Sequence, residues 1–265
     1  MLVFTIIAGI IISILFLISS RQNRRVNIYL SFYFLILSVY AIIRYLVLYS
    51  NNPFLIAIGT HNFSFLFLLP GPLFYFYVRA VLYRKTGLSI KDTIHFIPAI
   101  LHLLALIPWL LTPFSAKMEM ARAIIIHPDR VFYIPNIDFV LPPFVNYTLR
   151  LLSVISYIIY SLYITIRYEG KFLYPLAKMK EVVNGFQLLY LFMTLQFLMY
   201  LLYLISVFIG TSTNLGGLSS SAGSVFSVVL GINLMLQVFM ITLFPFLLYG
   251  LPARLLHEYA KDNAM

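Results

Sequence analysis

The fold class this chain predicts is an all-α integral membrane protein. It reads as a seven-transmembrane helix bundle with its N-terminus outside and its C-terminus in the cytoplasm. Three observations predict it. Residues 182–253 run for 72 positions without a charged side chain, room for two crossings at roughly 20 apolar residues each. Of the 265 residues, 62% are hydrophobic and 10% charged, against about 25% charged in soluble domains. The basic residues fall in alternate connections, as the positive-inside rule requires. Residues 1–252 therefore read as one transmembrane domain and 253–265 as the start of a cytoplasmic linker.

The elements follow in order. The first span, 2–20, is not a cleavable signal, because Arg21, Arg24 and Arg25 follow its apolar core and nothing positive precedes it. The second, 27–49, stops at the turn run Ser50-Asn-Asn-Pro53. The third covers 54–82 and the fourth 94–112. The connection 113–143 is the longest and holds five prolines, at 113, 128, 135, 142 and 143. Its middle, Ala116–Ile126, is expected to form a short interfacial helix with Ile124, Ile125 and Ile126 dipping into lipid. The fifth span is 144–167, the sixth 186–209 and the seventh 223–249, with a Gly/Ser/Thr run at 210–223 between the last two. Backbone in lipid must satisfy its own hydrogen bonds, and runs of this length do so as helices.

Charge sets the orientation. Thirteen basic residues lie on one side: Arg21, Arg24, Arg25, Arg79, Arg84, Lys85, Lys91, Arg167, Lys171, Lys178, Lys180, Arg254 and Lys261. The other side has Lys117, Arg122 and Arg130, offset by Glu119, Asp129 and Asp138. The basic side is cytoplasmic. The net charge of +10 thus reads as topology and headgroup attraction, and no nucleic acid is expected to bind this chain itself.

Several chemistries are excluded. There is no cysteine, so disulfides, thiolate metal sites and cysteine nucleophiles are out. No Gly-x-Ser-x-Gly, His-Glu-x-x-His or phosphate loop occurs, and no enzyme activity is expected. Residues 223–249 contain no lysine, which removes a retinal Schiff base there. His95 and His102 stand two helical turns apart, too far to share a metal. No cofactor or metal is expected.

Polar residues inside spans carry the functional reading, since ionisable groups are costly there and face the bundle interior. Arg44, His61, Asn146 and Arg150 fall at similar depth in the outer leaflet, and Asp138 approaches from the long outer connection. One reading is an outward-open pocket where Arg44 and Arg150 hold an anionic group, the guanidinium fork matching carboxylate or phosphate. The other is that both arginines snorkel to headgroups or pair with Asp138. On the seventh span Gly223, Ser227 and Gly231 recur every four residues, a small-residue stripe for close helix packing.

Three stretches carry a family resemblance: Pro70-Gly-Pro-Leu-Phe-Tyr-Phe-Tyr-Val-Arg79, His95-Phe-Ile-Pro98 and Phe244-Pro-Phe-Leu-Leu-Tyr-Gly-Leu-Pro252. In this order the chain resembles the N-terminal seven-helix membrane region of bacterial AraC-type transcriptional regulators. The resemblance implies a sensor in the bacterial cytoplasmic membrane, followed by a cytoplasmic linker and a helix-turn-helix DNA-binding domain. That domain would follow Pro252 and is absent from these 265 residues, which fits either a fragment or a free-standing relative. Pro245, Gly250 and Pro252 then mark the output end, as hinges or as packing residues. The implied partners are the lipid bilayer, a small anionic ligand and the missing output domain; a homodimer is left open. A small-molecule transporter is the alternative. The lack of an internal repeat and the few polar residues in the cytoplasmic half place it second, and a membrane enzyme third.

Overall fold

The computed structural model describes residues 2–18, 24–83, 85–126 and 143–169, and scattered positions between 191 and 205. These are all helical or connecting, with no strand among them. Among the described residues the continuous α-helices are α1 Leu2–Ile18, α2 Arg24–Tyr49, α3 Pro53–Gly59, α4 Pro70–Tyr83, α5 Ile97–Ala105, α6 Ile107–Leu111, α7 Phe114–Ile126 and α8 Pro143–Glu169. Two 3₁₀ segments, Ser64–Leu68 and Ile90–Phe96, lead into α4 and α5.

Among the described residues α2 and α8 are long and apolar enough to cross a bilayer. At 26 and 27 residues they extend about 40 Å at 1.5 Å per residue, more than the roughly 30 Å hydrocarbon layer. The helix α1 is 17 residues of apolar sequence. It lies along α2, α2 lies on α4, and α4 crosses α8.

Aromatic and aliphatic side chains fill that centre. Phe16 stacks on Phe34 with centroids 6.2 Å apart, and Tyr33 meets Phe34 edge-on at 5.1 Å. Ile155, Ile158 and Met193 extend the same core from the later segments. The α1–α2 seam is tight because small polar residues line it. Ser13 Oγ donates to the Ser31 carbonyl at 3.0 Å, and Ser31 Oγ to the Ser13 carbonyl at 2.8 Å. Such pairs suit apolar surroundings, where hydrogen bonding and close packing replace the hydrophobic drive between helices.

Two expected spans are not continuous. The third, 54–82, breaks at residues 60–69. Asn62 Nδ2 turns back onto the carbonyls of Ala57 and Ile58 at 3.1 and 2.7 Å, and His61 takes a left-handed backbone with φ 64°. Pro70 then has no N–H with which to continue the ladder from the preceding turn. The fourth, 94–112, is a 3₁₀ turn and two short helices parted at Leu106. Pro108 lacks the N–H that would bond the carbonyl four residues back. The expected short helix forms, as Phe114–Ile126, but its face differs from expectation. Ile124 is fully buried with Val47, Ile56 and Ala57, so it packs on protein rather than lipid, while Ile126 is 71% exposed. The sixth span apart from scattered positions, and the whole seventh with Gly223, Ser227, Gly231, Pro245, Gly250 and Pro252, lie outside the described residues.

Candidate functional site: a buried polar cluster at the broken helix

The break between α3 and α4 brings polar side chains inward against α5, α6 and α8. Asn146 and Arg150 are one turn apart on α8, and both are buried. Arg150 Nε donates to Asn146 Oδ1 at 2.8 Å. That fixes the amide, because a guanidinium can only donate. Asn146 Nδ2 then faces His102 of α5, 2.9 Å from Nε2. The same Nδ2 lies 3.2 Å from His102 Nδ1, so either ring nitrogen can accept its hydrogen. Ser64 Oγ lies 3.0 Å from the same Nε2. Four residues from three separate segments thus close one buried network.

His61 borders it. Its ring is buried, meets Trp109 edge-on at 5.9 Å, and lies within electrostatic reach of Arg150 and His102. Its Nε2 has no hydrogen-bond partner among the described residues. Across Trp109, Asn62 Oδ1 accepts the indole N–H at 3.1 Å. The amine of Lys117 sits 5.1 Å from the indole centroid and donates to the Leu110 carbonyl at 3.3 Å. Burial pushes the Lys117 amine below the usual lysine value.

Of the residues expected from sequence, the structure brings together His61, Asn146 and Arg150. Arg44 is buried on α2, one turn beyond Tyr40. Tyr40 packs edge-on against Phe67 at 4.8 Å, and the Arg150 guanidinium lies 5.4 Å from the ring centroid of the same Phe67. Phe67 therefore joins the α2 and α8 arginine regions. Asp138 lies outside the described residues. The sequence reading missed Ser64, Asn62, Trp109 and Lys117. The polar run Thr60-His-Asn-Phe-Ser64 before Pro70 is the signal that could have found the first two. No group of three or more His, Asp or Glu side chains converges as metal ligands would among the described residues.

A second buried charge cluster sits at the other end of α4. Arg79 binds the Asp92 carboxylate and donates to the Gly87 carbonyl at 3.2 Å. The second Asp92 oxygen accepts the Ser89 N–H at 2.7 Å and hydroxyl at 2.8 Å, a capping box for the 3₁₀ segment. Burial alone would raise the carboxyl; the bonds from Arg79 and Ser89 outweigh it and hold Asp92 well below the usual carboxylate range. No protein-family model, curated protein or solved structure matches the chain.

Proposed function

We propose that the chain is the seven-helix signal-input region of a membrane-bound transcriptional regulator of the AraC type. A small anion entering from the outer side would be held by Arg44, His61, Asn146 and Arg150, with Asp138 as counter-ion in the empty state. The observation that carries this reading is the Ser64–His102–Asn146–Arg150 network beside a buried His61. Buried cations at a break in a helix are costly unless a partner or a function retains them. Binding would have to favour one of two bundle arrangements to signal through the seventh helix.

The test is the thermal stability of the purified chain against a panel of small carboxylates and phosphates. A ligand at a hundredfold excess over its dissociation constant stabilises by about 2.7 kcal/mol. Arg150→Lys should abolish the shift while leaving the unliganded protein folded, because a point charge does not reproduce the fork. A variant that responds as the parent does removes the site.

Transport remains a second reading, favoured by one observation. The third and fourth segments are both interrupted where the polar cluster lies, as at the substrate sites of many transporters. Proteoliposomes would separate the two. A sensor binds the anion without moving it, whereas a carrier shows uptake that Arg150→Lys abolishes.

A further inference from the structure

The segment between α4 and α5 carries large aliphatic side chains outward. Ile90 is 87% exposed, Ile94 62% and Leu88 53%. Ile90 is the most exposed large hydrophobe among the described residues. A flexible loop would be expected to fold such groups away, because each buried aliphatic side chain is favourable. This one cannot, because its polar groups are pinned inward. Tyr29 of α2 donates to the Thr86 carbonyl at 2.6 Å, Arg79 holds the Gly87 carbonyl and the Asp92 carboxylate, and Asp92 closes the capping box on Ser89. Anchors at residues 86, 87, 89 and 92 thus fix the backbone with Leu88, Ile90 and Ile94 exposed. Exposed Ile97, Leu101 and Leu104 continue the aliphatic surface along α5.

Charge names the partner. Asp92 is the only acidic residue between α4 and α5, and Arg79 takes it up. Lys85 and Lys91 are exposed, leaving the outer surface of the segment apolar and positive. We infer that residues 85–94 form a clamped wedge that inserts Leu88, Ile90 and Ile94 into an anionic phospholipid leaflet, with Lys85 and Lys91 on its headgroups. Apolar groups beside a basic fringe are the combination that interfacial elements use. The inference rests on the membrane-spanning reading above.

The absence of native cysteine makes the test direct. Single variants Leu88→Cys, Ile90→Cys, Lys91→Cys and Leu101→Cys of the full chain are labelled with a nitroxide. They are reconstituted in bilayers of phosphatidylcholine alone or mixed equally with phosphatidylglycerol. Collision rates with oxygen, which concentrates in lipid, are compared with those of a water-soluble nickel chelate. Labels at 88 and 90 should favour oxygen several-fold, and that at 91 should favour nickel. The mixed bilayer should lower nickel access at 90, and Lys85→Gln with Lys91→Gln should erase that lipid dependence. Asp92→Asn should loosen the clamp and raise nickel access at 90. Free nickel access at both 88 and 90, or shielding from both reagents by another part of the chain, overturns the wedge. Equal behaviour in the two bilayers overturns the anionic preference. Nickel access at 101 as well would show instead that the membrane reading itself is wrong.

Discussion

Arg79 and Asp92 are each buried, and a buried ion pair returns little more than its own desolvation. Losing one partner is a different matter. Asp92→Asn leaves a buried guanidinium uncompensated and should destabilise the purified protein by about 3 kcal/mol, read from chemical or thermal denaturation. The pH dependence follows from the same bonds. The folded carboxyl titrates below its unfolded value near 3.8. Its contribution is therefore complete above about pH 4 and is lost only as pH falls through the folded value. Asp92→Asn should leave the pH 5–8 profile parallel to the parent's and flatten its acid limb. Lys117 runs the other way. Its folded amine titrates below the unfolded 10.5, so the unfolded chain holds more protons in the window between. Stability contributed at this site rises with pH across that window. Lys117→Met keeps a flexible stem over Trp109, and the parent should gain on this variant as pH approaches 10.5.

At the scale of elements, the crossing of α4 over α8 depends on Gly71. A Cβ there would fall 2.6 Å from Tyr157 Cδ2 and 3.3 Å from the Val154 Cα. The second contact is backbone and cannot turn aside. Gly71→Ala should therefore cost about 1–3 kcal/mol, the range for overpacking a filled interior, while Gly87→Ala, with nothing within 4 Å, should leave the unfolding midpoint unchanged. Tyr157 is held on its far side by His95, whose Nδ1 lies 2.8 Å from the tyrosine hydroxyl, so ring rotation offers no relief. Asn52 is the matching case at a helix start. Its Oδ1 accepts the Phe54 N–H at 3.0 Å, and Asn52→Ala should cost about 1 kcal/mol. Long apolar runs made α2 and α8 legible from sequence, since length and hydropathy alone decide them. The breaks in the third and fourth segments were harder to read. Pro70, Pro98 and Pro108 announce a possible stop, but membrane helices tolerate proline when neighbours re-satisfy the backbone. Here Asn62 supplied the competing hydrogen bonds, and only tertiary contact with Trp109 and Lys117 settles its rotamer. The Asn146–Arg150 pair was legible because a four-residue spacing on one helix suffices. Its link to His102 and Ser64 was not, because it joins residues 38 and 44 positions apart.

For the whole molecule, orientation is the property on which the other proposals lean, and the buried ion pair sharpens it. Arg79 is neutralised within the fold by Asp92, which leaves exposed Lys85 and Lys91 as positive charge after the third segment. Short connections orient a membrane protein through Lys and Arg near the span ends. On the opposite side Lys117 is buried against Trp109, and Arg122 shares α7 with exposed Glu119. The inner assignment we propose thus does not rest on Arg79. Alkaline phosphatase, active only outside the cytoplasm, gives the readout. Fused after Asn214 it should be active, and fused after Lys85 or Lys178 inactive. Arg79→Met should leave that pattern unchanged, whereas changing Lys85 and Lys91 together to Gln should weaken it. The reverse pattern at Asn214 and Lys85 would put the Arg150 cluster on the cytoplasmic side and would falsify the outer anion site.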